Sequence, residues 1–339
     1  MLPRHLPVLD GWRGCAILLV LVGHFATSRG INLGRFGVEL FFVLSGRLMA
    51  ELLFVRAVPL TRFVARRVSR IYPALIGFVL SMSGLAVASG REGELPGYLA
   101  ALTLTYNYYH LWFPELPNVD HVWSLCVEEH SYILLGLIAL LWRRFGFALP
   151  PVLAALAALA CLNGLISTAL GGSYTEVYWR SDVRAASILL GAAAYLKFGR
   201  SDPTRTVPSW RPAVLLLLGL MLNVDAVPDP IKYSLGTASL AAAVATIPNA
   251  PDVLRRGLTS TPLVLFGAWS YSIYLWQQPF YVLHDAMGGR IAKALVLPAI
   301  AMGIASLFLI ERPMRRYLNR AFDRAAGRNR SEAKSYATS

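Results

Sequence analysis

The sequence predicts an all-α, polytopic integral membrane protein of about ten transmembrane helices, with a re-entrant or interfacial segment near residues 97–113. Three observations carry this prediction. Of 339 residues, 56% are hydrophobic and only 15% charged, against about 25% charged in a typical soluble domain. The deficit runs along the whole chain rather than at one end, which excludes a soluble enzyme held by a single anchor. The basic residues, which give a net charge of +13, lie in short runs between apolar stretches. That is a topology signal rather than a nucleic-acid surface.

A crossing helix needs about 20 mostly apolar residues. Such stretches fall at 13–28, 36–55, 71–90, 124–142, 148–170, 182–198, 212–227, 231–247, 263–284 and 291–310. The segment 97–113 is aromatic, polar and short, and loop charge decides its course. Arg56, Arg62, Arg66, Arg67 and Arg70 make the loop after the second span cytoplasmic. If 97–113 crossed, Arg143–Arg144 would fall outside and each later basic cluster would invert. If it does not cross, all five basic clusters (56–70, Arg143–Arg144, Lys197–Arg211, Arg255–Arg256 and Arg312–Arg330) lie inside, and the acid-bearing loops at 114–122, 171–181 and 225–230 lie outside. Both termini are then cytoplasmic.

Residues 1–325 read as one transmembrane domain, and 326–339 as a polar, disordered tail. The first apolar run continues past His24 without a small-residue cleavage site, so a secretory signal peptide is not expected. Cys15, Cys126 and Cys161 are widely spaced within apolar segments and suggest neither a disulfide framework nor a metal site. The absence of a visible internal repeat disfavours a transporter.

Ionisable groups within spans are functional candidates by default. In LDGWRGCAILLVLVGHF, Arg13 sits at the cytoplasmic end and His24 eleven residues later, about 16 Å further out at 1.5 Å per residue. A neutral imidazole there suits a general base, or it can cap a neighbouring carbonyl. Glu39 in GVELFFVLSG and Glu128 in HVWSLCVEEHSY fall at similar depth, and a carboxylate can orient such a base. Glu39 alone also fits a solvated interfacial residue. Adjacent helical residues point about 100° apart, so at most one of Glu128 and Glu129 faces a given partner. On the inner side, RFVARRVSRIYP sets Arg66 and Arg70 one turn apart, with Arg67 beside them and Tyr72 following. Arginines on one face suit a phosphorylated ligand, but also lipid phosphates or simple topology.

Taken together, LDGWRGCAILLVLVGH, GVELFFVLSG, RRVSRIYP, HVWSLCVEEHSY, SYSIYLWQQPF and the ERP at 311–313 resemble the bacterial membrane-bound acyltransferase family 3. These are O-acyltransferases of surface polysaccharides and related acceptors. The stretches occur in the family's order over nearly the whole chain, and no second catalytic domain follows the last span, which points to a stand-alone form. The resemblance implies a multi-pass protein of the bacterial inner membrane. Acyl-CoA on the cytoplasmic side, acetyl-CoA by default, would be the donor, and a carbohydrate or glycolipid hydroxyl on the far side the acceptor. No tightly bound cofactor, metal or nucleic acid is expected. His24 would be the base, oriented by Glu128 or Glu39. Arg66, Arg67 and Arg70, with Tyr72, would hold the donor, Arg13 would brace its channel, and Arg47, which follows Ser45–Gly46, would add a cation to it. The chain departs from the family pattern at His130, where Gln is usual, at Gln277, where His is common, at Arg47, where an aromatic is common, and at Cys126, often Ser. The alternatives are a flippase for a lipid-linked glycan and a non-catalytic component of an envelope-assembly complex.

Overall fold

The computed structural model describes residues 6–26, 29–199, 208–288 and 292–337, with side chains up to residue 325. Parts of three sequence expectations therefore lie outside the described residues: the end of the first predicted span (27–28), the start of the last (291), and most of the basic stretch 197–211. Among the described residues the chain is helical, with one isolated bridge between Ile31 and Val224. The helices are α1 (Pro7–Phe25), α2 (Leu33–Ala50), α3 (Leu60–Ala88), α4 (Leu95–Leu102), α5 (Tyr106–Tyr109) and α6 (Trp123–Phe145). There follow α7 (Leu149–Ala169), α8 (Tyr174–Tyr178), α9 (Ser181–Ala194), α10 (Arg211–Met221), α11 (Asp229–Ile231) and α12 (Thr237–Thr246). The last four are α13 (Asp252–Leu258), α14 (Thr261–Met287), α15 (Val296–Ser306) and α16 (Arg312–Ala337).

Among the described residues, five helical segments are long and apolar enough to cross a bilayer: Pro7–Phe25, Leu60–Ala88, Asp120–Phe145, Leu149–Ala169 and Lys293–Ala325. The other predicted spans are shorter or more polar. The 212–227 stretch is helical only as α10, whose 11 residues reach about 16 Å. In α14, 27 residues long, Gln277, Gln278 and His284 interrupt the apolar surface. Segment 97–113 forms no continuous helix: α4 has eight residues and α5 four, broken at Leu104, whose φ is +57°. Neither piece can cross a hydrocarbon core of about 30 Å. The backbone of α16 continues through 326–337, the stretch read from composition as a disordered tail. Its Arg, Ala, Lys and Glu content favours helix.

Small residues set the packing. A Cβ at Gly14 would overlap the carbonyl of Leu263, and one at Gly267 the carbonyl of Asp10, so α1 and α14 cross in backbone contact. Gly46 meets the Ile188 carbonyl and Gly191 meets that of Val43, bringing α2 equally close to α9. With no hydrophobic drive between helices in lipid, such close approach supplies the packing energy. Trp12 Nε1 donates to Leu40 O at 3.0 Å and ties α1 to α2. At the end of the bundle that carries Arg66, Arg67 and Arg70, Ser69 Oγ donates to Asn319 Oδ1 (2.8 Å) and holds α16 against α3. Ser272 Oγ donates to Glu311 Oε2 (2.7 Å), which places the ERP glutamate against α14.

Replacing Gly267 by Val forces α14 away from α1. Overpacking of this kind costs about 1–3 kcal/mol. The variant is expected to unfold at lower temperature in detergent than a Gly257→Ala control, where a Cβ meets nothing within 4 Å. An unchanged midpoint would contradict the backbone crossing.

Candidate active site

The outer end of the bundle is organised by a proline. Pro279 lies inside α14, and a proline cannot donate to the carbonyl four residues back, here Leu275 O. His121 takes that place, with Nε2 3.1 Å from Leu275 O. The turn before α6 is pinned again one helical turn further along, where Gln278 Nε2 donates to Pro117 O (2.9 Å) and to Asp120 Oδ1 (2.6 Å). Gln277 Nε2 donates to Gln278 Oε1 (3.1 Å), and Gln277 Oε1 lies 2.7 Å from His24 Nδ1. The His24 ring stacks on Tyr281 at 4.3 Å.

His24 lines an outer cavity of about 210 Å³ together with Asn32, Gly34, Arg35, Asp120 and His121. Its walls are aromatic: Tyr281, Trp123 stacked parallel on Trp179 (5.8 Å), and Tyr174 on Tyr178 (5.0 Å). Arg35 pairs with Asp229 (2.8 Å) and faces the Tyr178 and Tyr233 rings. A capping box at Ser173 starts α8, which carries Tyr174 and Tyr178. Hydrogen bonding with Ser173 also holds the Glu176 carboxyl below the usual carboxylate range. Gly34 sits against His24: a Cβ there would lie 3.3 Å from His24 Nε2 and Cδ2.

A central cavity of about 80 Å³ follows, lined by Arg13, Arg67, Arg70, Glu128 and Ser45 among others. It shares Val38 and Tyr274 with the outer cavity. An inner cleft of about 480 Å³ shares Arg13, Arg67, Arg70, Leu48 and Met49 with the central cavity and adds Arg56, Arg62 and Arg66. The three spaces thus share walls, from a cationic mouth to the imidazole.

The expected base–carboxylate pairing is corrected by this geometry. Among the described residues, neither Glu39 nor Glu128 hydrogen-bonds to His24. Glu128 Oε1 accepts from Ser45 Oγ (2.6 Å) in the central cavity. Glu39 is buried in an ion pair with Arg184 and accepts from Thr237 Oγ1 (2.6 Å). It joins α2, α9 and α12, because an unpaired charge at that depth would be costly. The donor group also divides. Arg13 and Arg70 line the central cavity as expected, Arg67 pairs with Glu129 (2.9 Å) over the Tyr132 ring, and Arg66 pairs with Asp323 of α16 (2.7 Å). Tyr72 lines a different cleft, with Glu129 and His130. Arg47 is buried over Tyr195 (4.9 Å) and is absent from the walls of both arginine-lined cavities. Two assignments fail for the same reason: equal depth in a bundle does not mean the same helix face.

Sequence reasoning missed Asp120, Gln278, His121, Arg35, Tyr281 and Arg184. Arg184 had a usable signal, since it is ionisable within a predicted span. The others sit in loops or look like ordinary polar positions until α14 is folded against them. Among the described residues no three His, Cys, Asp or Glu side chains gather to hold a metal ion. The three cysteines are free.

The chain is thus a helical membrane protein with a half-buried imidazole at one end of a series of cavities and arginines at the other. The chain belongs to the acyltransferase family whose model, described as "Acyltransferase domain" (Acyl_transf_3), matches residues 6–310. It is 27% identical over 95% of its length to the putative peptidoglycan O-acetyltransferase YrhL of Bacillus subtilis (strain 168). It is also 27% identical, over 92% of its length, to the peptidoglycan O-acetyltransferase OatA of Listeria monocytogenes. Against the O-acetyltransferase OatA of Staphylococcus aureus the figures are 26% and 94%. The chain spans only 56–59% of the length of these relatives. No solved structure matches.

Removing one partner of the Glu39–Arg184 pair should be worse than removing both. Arg184→Met is expected to cost about 3–5 kcal/mol, and the double variant Arg184→Met/Glu39→Gln to recover most of that loss in thermal unfolding in detergent. Equal or additive losses would show that the two charges do not compensate each other.

Proposed function

We propose that this chain is a membrane-embedded O-acyltransferase. It takes an acyl group, acetyl by analogy with its relatives, from cytoplasmic acyl-CoA and delivers it to a hydroxyl of an extracytoplasmic glycan or glycolipid. The observation that carries this reading is the cavity series from Arg13, Arg67 and Arg70 to His24. Guanidinium groups suit the CoA phosphates, and the narrow central cavity suits the thin pantetheine arm. The aromatic walls of the outer cavity suit the apolar faces of sugar rings, and their polar edge suits sugar hydroxyls. With both termini in the cytoplasm and 97–113 dipping without crossing, the arginines would lie inside and His24 toward the outside of a bacterial inner membrane.

In this reaction Nε2 of His24 takes the proton from the acceptor hydroxyl as its oxygen attacks the thioester carbonyl. The C–S bond breaks, an ester C–O bond replaces it, and the imidazolium returns its proton to the CoA thiolate. Arg70 and Arg13 hold the donor, and Glu128, fixed by Ser45, offsets their mutual repulsion. Gly34 leaves the lone pair of Nε2 uncovered.

The test is acyl-CoA consumption, read as free thiol, with the chain in liposomes and a glycan acceptor supplied. His24→Ala is expected to lower transfer by about 10²–10⁴-fold, and near-normal transfer would remove His24 as the base. Arg70→Ala should raise the KM for acyl-CoA while leaving the acceptor KM in place, and unchanged donor binding would take Arg70 out of the donor site. Gly34→Ala should lower kcat with thermal stability retained, because its methyl reaches the base and little else.

A further inference from the structure

We propose that Asp120, Gln278 and Gln277 form a one-way hydrogen-bond relay that holds the proton of neutral His24 on Nδ1, leaving Nε2 as the atom that meets the acceptor. The inference rests on the reading of His24 as the base. It assigns the supporting carboxylate to Asp120, two side chains away, in place of Glu39 and Glu128.

The direction of the relay follows from one anchor. Pro117 O is a backbone carbonyl and can only accept, so the Gln278 atom 2.9 Å from it must be the amide nitrogen. The same nitrogen has a second hydrogen for Asp120 Oδ1 at 2.6 Å. Gln278 Oε1 therefore faces Gln277 and needs a donor, which makes the facing Gln277 atom Nε2 (3.1 Å). That leaves Gln277 Oε1 against His24 Nδ1 at 2.7 Å, and an amide oxygen can only accept. Nδ1 must carry the hydrogen. In a neutral imidazole the lone pair is then on Nε2, beside Gly34.

The two glutamines that set its direction are buried, Gln277 0% and Gln278 2% exposed, between the half-buried His24 and Asp120. Water therefore cannot readily offer an alternative partner that would reverse the chain. The anchor is rigid for the same reason, since Pro117 and Asp120 sit in the turn pinned to α14 by His121 and Leu275 O. When Nε2 gains a proton, both amides are already oriented with their oxygens toward the new positive charge, and Asp120 terminates the chain. Gln277 is a positioning residue, since it acts on the acceptor only through His24, whereas Gln278 and Asp120 also line the outer cavity.

The experiment is ¹⁵N NMR of the whole chain with ¹⁵N-histidine in lipid nanodiscs, at a pH where His24 is neutral. The His24 signals are those that His24→Gln removes. The expected wild-type pattern is a protonated Nδ1 and an unprotonated Nε2; the opposite assignment, or an even mixture, overturns the relay. Gln277→Leu should yield mixed tautomers and lower kcat by about 10–100-fold, whereas Gln277→Glu keeps an acceptor oxygen against Nδ1 and should retain the wild-type tautomer. Asp120→Asn preserves an acceptor for Gln278 but removes the charge, so kcat should fall with the donor KM held. A proton on Nδ1 together with full activity in His24→Ala would sink the base reading and leave the relay standing. The reverse tautomer with an inactive His24→Ala would do the opposite.

Discussion

Everything at the outer end depends on the backbone-to-backbone crossing of α1 and α14. Gly14 and Gly267 let the two helices meet without side chains between them. Their outer halves then run close enough for a residue near the end of α1 to hydrogen-bond one near the middle of α14, 253 positions away. The kink at Pro279 adds a second constraint, because the unsatisfied Leu275 carbonyl must find a donor. His121 supplies it and draws the 117–121 turn onto the same helix. Two ordinary packing requirements thus bring His24, Gln277, Gln278 and Asp120 into one chain of bonds.

Electrostatics divides the rest of the interior. A bilayer protein that buries a cation must neutralise it or give it a ligand. Arg184 is neutralised by Glu39, Arg67 by Glu129, and Arg35 by Asp229. Arg13 and Arg70 both line the central cavity, with Glu128 in the same wall. Arg13 reaches Asp10 only at 3.7 Å. The positive charge is therefore concentrated where the inner cleft narrows, which is where a polyanionic donor would gain most from it. Arg184 and Arg35 are held away from the central cavity, whereas Arg13, Arg67 and Arg70 line it.

The helical class, the membrane setting and the family were legible in the sequence, since each rests on local runs: apolar stretches, basic loops and short ordered motifs. The number of crossings was not settled by the same signals. Stretches such as 212–227 are apolar enough to span, but the helix there stops at Met221. Depth along a helix could be read by counting from Arg13 to His24, whereas azimuth could not. Glu39 and Glu128 were therefore matched to His24 by depth, while the helix faces send them to Arg184 and Ser45. The departure at Gln277 was visible in the sequence as a substitution in a family motif. Its partner was not, because the contact spans α1 to α14 and no spacing rule reaches that far. Asp120 was hidden by its place in an acidic outer loop, where a solvated carboxylate is the ordinary expectation.

Vectorial transfer is the central claim, and sealed vesicles of known orientation test it most directly. The purified chain would be reconstituted with acetyl-CoA on one side only and a glycan acceptor on one side only. Transfer is expected when acetyl-CoA is on the side bearing the Arg66–Arg70 end of α3 and the acceptor is on the opposite side, with free CoA released beside the donor. Transfer that required donor and acceptor on the same side would contradict the arrangement of arginines and His24 described here.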